Sequence, residues 1–224
     1  VVDLKEKYRL VIATPTALQD DPPPRRWSAE GDDEYLHNLV DLVISKIGRE
    51  NIDRFWLAGH SQGGLTSRRI VCSEYFADKV DGFVSLSGGR VGSPPPPDRP
   101  EPELLSCDFS HIFTAGKLER SGENVPATST WADKYHCDAR KRLADITDTK
   151  AGYVTASDQS RGPTWGTFAR PGVAEVYEFP NCDNGRIVAD IVRLDKGHTE
   201  GLEPLMLEEI VKMMLRASGG KINR

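Results

Sequence analysis

Long apolar runs, basic runs and closely paired cysteines are all missing from these 224 residues. No apolar stretch approaches the roughly 20 residues that a membrane-spanning helix needs, so no membrane span is expected. Twenty-nine Lys and Arg against 34 Asp and Glu leave a net charge of -5, with no cationic block. That balance argues against nucleic acid as a partner, because non-specific binding to phosphates requires a cationic face. The four cysteines, Cys72, Cys107, Cys137 and Cys182, form no C-x-x-C pair, which argues against a zinc site or a thioredoxin-like motif. Their spacing alone leaves free thiols and two disulfides equally open. The opening Val1-Val2-Asp3-Leu4-Lys5-Glu6-Lys7 is not a signal peptide, and no internal repeat is visible. What remains is 38% hydrophobic and 28% charged residues, ordinary globular proportions, over a length that suits one domain spanning 1–224.

Strand and helix signals alternate along the chain. Tyr8 to Pro15 reads as a buried strand stopped by proline, and residues 16–31 as a loop. Asp32 can cap a helix whose Leu36, Leu39, Val40, Val43, Ile44 and Ile47 form one apolar stripe, with Gly48 as its stop. Phe55 to Ala58 reads as a second strand, Leu65 to Phe76 as a helix, and Gly82 to Ser87 as a third strand. His111 to Gly116 reads as a fourth strand and Thr130 to Leu143 as a helix. Val173 to Phe179 and Arg186 to Leu194 are further strands, the second alternating apolar with polar residues, and Glu203 to Ala217 is a closing helix. The stretches 91–106, with its Pro94 to Pro97 run, and 155–172 read as long loops that shape a pocket. This order predicts an α/β fold with a mostly parallel sheet and helices on both faces. Ligands on such sheets bind at the carboxyl ends of the strands, so the loops after residues 58, 87, 116 and 194 are expected to share one edge.

Gly59-His60-Ser61-Gln62-Gly63 carries the chemistry. A G-x-S-x-G pattern between a strand and a helix makes a strained turn that lifts the serine hydroxyl above the sheet. The glycines two before and two after are expected to be needed because a Cβ there would meet backbone. The Gln62 N–H then stands at a helix N-terminus, where it can bind an oxyanion. A serine hydroxyl needs a base. Of the five histidines, His198 follows a strand on the expected edge. His60 lies within the turn, His37 beside the helix stripe, His111 at the opposite edge and His136 on a helix. The third member is expected on the loop after Gly116, which holds no aspartate. Glu119 is nearest the strand end, Glu123 is the alternative, and Asp195 and Asp183 are held in reserve.

Several segments together resemble the secreted polyhydroxybutyrate depolymerase and feruloyl-esterase group of α/β-hydrolases. They are Tyr8 to Pro15, Trp27 with Asp32-Asp33, Asn51 to Arg54, Gly59 to Gly64, Gly116 to Glu119 with Val125-Pro126 and Trp131 to Cys137, Asn181-Cys182, and Gly197-His198-Thr199. The resemblance implies the α/β-hydrolase fold, Ser61 as nucleophile, His198 as base, a Cys137–Cys182 bridge and a secreted or periplasmic protein. This chain departs from it in carrying Glu119 where the group usually has aspartate. It also has Thr199-Glu200-Gly201 after the histidine, and no His-Gly loop before Tyr8 to supply a second oxyanion N–H. The expected activity is hydrolysis of a small or polymeric carboxylic ester without a metal or organic cofactor, with Trp165 and Phe168 serving either as walls of an aromatic pocket or as pins of their loop. A serine peptidase of the same fold would need a cap or propeller, which the sequence does not contain. A non-catalytic binding protein would be marked by a missing triad member, yet serine, acid and histidine are all present.

Overall fold

The computed structural model describes residues 2–18, 26–29, 31–93, 105–119, 122, 124–152, 162–166 and 168–223. Helix α1 is Val2–Lys7 and α2 is Asp32–Ile47. Strand β1 (Trp56–His60) runs into α3 (Gln62–Ile70), followed by β2 (Gly82–Leu86) and β3 (Ser110–Gly116). A short α4 (Thr130–Lys134) leads to β4 (Lys141–Arg142), β5 (Ile146–Asp148), β6 (Gly172–Phe179), β7 (Val188–Arg193) and finally α5 (Pro204–Arg216).

The strands form one seven-stranded sheet in the order β1-β2-β3-β7-β6-β4, with β5 also paired to β6. β1, β2, β3 and β7 are parallel, whereas β6 is antiparallel to β7, β4 and β5. The sheet is therefore mixed rather than mostly parallel. The cause is local: β6 leads to β7 through a short connection around Asp183–Gly185, which can only reverse the chain. Side chains alternate across the sheet into two cores. Phe83 and Phe109 face Ile70, Phe76 and Trp131, with the α2 residues Leu36 and Val40 at the margin. Val84, Ile112, Ala189 and Ile191 face Met206, Ile210 and Met213 of α5. Helices thus cover both faces.

Several expectations need correction. β7 is buried along its whole length, although its sequence alternates. Its polar residues are paired internally, Asp190 accepting from Arg90 at 2.6 and 2.8 Å and Arg193 donating to the Glu200 carbonyl. The helix expected over Thr130 to Leu143 ends at Lys134, where Cys137 is tied to Cys182 and Asp138 N–H is drawn to the Pro180 carbonyl at 2.8 Å. The second bridge joins Cys72 to Cys107. α3 begins at Gln62 and stops at Ile70, short of Phe76. Asp32 does not cap its own helix. Its carboxylate accepts from the N–H groups of Leu18 and Ser28 at 2.9 and 2.6 Å, tying down the preceding loop. Gly48 does end α2, at φ 84.

Tyr8 to Pro15 is not a strand. Strands exist by pairing, and β1 is the sheet edge, bonded among the described residues only to β2. A trough of about 890 Å³ runs beside β1, walled by Leu10, Val11, Ala13 to Pro15, the α2 stripe and Met214. Val11 and Ile12 are accordingly 63% and 49% exposed, and Asp32 is the only buried residue of α2.

Candidate active site

The parallel strands carry the site at their carboxyl ends. β1 delivers Ser61, the turn directly after β2 delivers Ser87 and Gly88, the loop after β3 delivers Glu119, and the loop after β7 delivers His198. The predicted sharing of one edge follows from the parallel register of these four strands.

Ser61 sits at φ 52, a left-handed conformation that a non-glycine residue adopts only where its surroundings enforce it. Its N–H donates to the Leu86 carbonyl at 2.8 Å, and its own carbonyl accepts from Leu65 N–H at 3.1 Å. A Cβ on Gly59 would stand 2.2 Å from the carbonyl carbon of Gly63, so glycine is obligatory there. The expectation for Gly63 fails: a Cβ on it would meet only Trp27 Nε1, at 3.9 Å. The second crowded position is Gly64, whose Cβ would lie 2.8 Å from the Gly88 Cα, because there α3 crosses the turn after β2.

Ser61 Oγ lies 2.8 Å from His198 Nε2, and His198 Nδ1 lies 2.7 Å from Glu119 Oε2. With Nδ1–H donating to the carboxylate, Nε2 is left to accept the serine proton. Glu119 is 5% exposed. Burial pushes its carboxyl up, but hydrogen bonds from His198, the Ser87 hydroxyl and the Gly116 N–H outweigh that and hold it below the ordinary glutamate range. The loop bearing His198 is pinned on several sides. His198 N–H donates to the Thr164 carbonyl at 3.1 Å, Thr199 N–H to Trp165 at 2.7 Å, and Gly197 N–H to the Glu200 carboxylate at 2.7 Å. His60 reaches from its own turn to the His198 loop. Its Nε2 donates to the His198 carbonyl at 2.7 Å, and burial pushes its imidazole down, keeping it neutral.

Gln62 is the first residue of α3, so its N–H has no carbonyl one turn earlier within the helix. Its side chain is tied to the Trp27 backbone, accepting from N–H at 3.1 Å and donating to the carbonyl at 3.4 Å. The Trp165 ring lies 4.7 Å from the His198 ring, centre to centre, and Phe168 is 60% exposed.

Comparison with protein-family models, with curated proteins and with solved structures finds no match.

The other candidates lie elsewhere. Asp195 pairs with Arg170 and Lys196, and Asp183 with His136 at 2.6 Å. His136 is not helical but turns at φ 48 just past α4. His37 stacks on Tyr75 at 4.0 Å, and His111 is buried at the start of β3. Glu123, residues 94–104 of the stretch 91–106, and residues 155–161 and 167 of the stretch 155–172 fall outside the described residues. Sequence reasoning missed Ser87 and the Gln62–Trp27 tie. Ser87 belongs to no motif, and its only signal is its place at the end of a strand that points at the site.

Proposed function

We propose that this protein is a serine esterase of the α/β-hydrolase type, with Ser61 as nucleophile, His198 as base and Glu119 as the acid. The observation that carries the reading is the continuous hydrogen-bond chain from Ser61 Oγ through His198 to Glu119, at 2.8 and 2.7 Å, on a serine at φ 52. That order of contacts, on a serine between a strand and a helix, is what acyl transfer requires.

In the first step His198 Nε2 takes the Ser61 proton as Oγ attacks the ester carbonyl. The carbonyl oxygen becomes an oxyanion, which the Gln62 N–H stabilises. The imidazolium, steadied by the ionised Glu119, returns its proton to the leaving alcohol as the ester C–O bond breaks. Water then gives a proton to His198 as it attacks the acyl-serine; the bond from the acyl carbon to Ser61 Oγ breaks, His198 returns the proton to Oγ, and the carboxylic acid is released. The resemblance to depolymerases and feruloyl esterases, with Trp165 beside His198, supports an apolar or aromatic acyl group as substrate. The two disulfides support an oxidising location, extracellular or periplasmic. Among the described residues no helix is long and apolar enough to cross a membrane.

Hydrolysis of p-nitrophenyl esters by the wild-type chain and by Ser61→Ala tests the reading. The expected result is turnover by the wild type and a loss of about a thousandfold or more in the variant. A folded wild type no faster than the variant would overturn it.

A further inference from the structure

We propose that Ser87 is a positioning residue for Glu119, fixing the carboxylate so that one of its oxygens faces His198; the assignment rests on the esterase reading above. Ser87 Oγ donates to Glu119 Oε1 at 2.6 Å, leaving Oε2 for His198 at 2.7 Å. Both side chains are buried, at 7% and 5% exposure. Glu119 Oε1 also accepts the Gly116 N–H at 2.6 Å. That donor is a backbone group at the end of β3, three residues before Glu119 on the same chain segment. Ser87 comes from the end of the neighbouring strand β2, so its hydroxyl is the side-chain donor that ties this carboxylate oxygen to a second strand.

Two further observations favour this role. Ser87 is held at φ 55, with its N–H donating to the Thr114 carbonyl at 2.7 Å. A serine in that conformation carries strain that glycine would not, although Gly88 and Gly89 follow it directly. The hydroxyl therefore compensates for something a glycine could not supply. The second observation is the length of the acid. Glutamate has one more rotatable bond than aspartate, so its carboxylate must lose more freedom before it can orient a histidine. A donor to the oxygen that does not face the histidine removes that freedom.

The test is a double-mutant cycle on p-nitrophenyl acetate, with Ser87→Ala, Glu119→Ala and the double variant. Ser87→Gly serves as a second variant, because it removes the hydroxyl from a backbone conformation that glycine adopts without strain. Both Ser87 variants are expected to lower kcat by about 10- to 100-fold, the rate equivalent of one hydrogen bond to a charged group, with KM little changed. In the Glu119→Ala background, Ser87→Ala is expected to cost less than about twofold, because there is no carboxylate left to hold. Equal losses in both backgrounds, or activity within twofold of wild type in both Ser87 variants, would overturn the proposal. A readout independent of turnover is the low-field proton NMR resonance of the His198 Nδ1–H in its bond to Glu119. It is expected in the wild type and lost to solvent exchange in both Ser87 variants; its persistence in them would overturn the proposal. If the wild type shows that resonance and the Ser87 variants lose it, yet no ester is turned over, positioning by Ser87 stands and the esterase reading alone falls.

Discussion

At the scale of single residues, the turn around Ser61 separates glycines that the geometry demands from one that it does not. Gly59→Ala forces a Cβ to 2.2 Å from the Gly63 carbonyl carbon, and Gly64→Ala forces one to 2.8 Å from the Gly88 Cα. Both contacts are with backbone that cannot rotate away, so each change is expected to cost about 1–3 kcal/mol in unfolding experiments. Gly63→Ala meets only Trp27 Nε1 at 3.9 Å and adds a better helix former near the start of α3. It is expected to leave stability unchanged or to raise it by about 0.5 kcal/mol. Urea titration of the three variants checks this ordering, and a Gly63→Ala as unstable as Gly59→Ala would show that the turn is packed otherwise.

At the scale of elements, what the sequence revealed depended on whether the deciding information was local. The turn around Ser61, α2 with its stop at Gly48, α5 and most strands were legible because each rests on a period or on punctuation within about fifteen residues. His198 was found by combining a motif with a strand-edge rule, and the structure brings it to Ser61 and Glu119. Most of the losses were non-local. Tyr8 to Pro15 has the composition of a strand but no paired neighbour, and composition cannot supply one. The antiparallel β6 depends on how short the link to β7 is. β7 alternates in sequence because Asp190 and Arg193 are polar, yet inside the fold Asp190 pairs with the Arg90 guanidinium and Arg193 donates to the Glu200 backbone carbonyl. Ser87 was invisible for the same reason: its meaning comes from Glu119, 32 residues away.

At the scale of the whole molecule, the buried imidazoles link stability to pH. His111 donates from Nδ1 to the Phe83 carbonyl at 3.2 Å and accepts at Nε2 from Val91 N–H at 3.1 Å, so both nitrogens are used only in the neutral ring. Burial, reinforced by Arg90, pushes it from 6.5 down to about 3. The unfolded chain takes up that proton as pH falls below 6.5 and the folded chain does not, so stability is full above 6.5 and declines toward 3. His60 acts in the same direction, and Glu119 adds a loss at lower pH, as its depressed carboxyl is protonated. The urea midpoint is expected to fall between pH 7 and pH 5, and to fall less in His111→Gln; an unchanged slope would remove His111 from the account. The central claim is that Ser61 is an activated nucleophile, and the most direct test is labelling of the native chain with a fluorophosphonate, followed by mass mapping of the adduct. A single adduct on Ser61 is expected, formed at neutral pH and greatly slowed in His198→Ala. No adduct on the folded chain, or one on another residue, would contradict it.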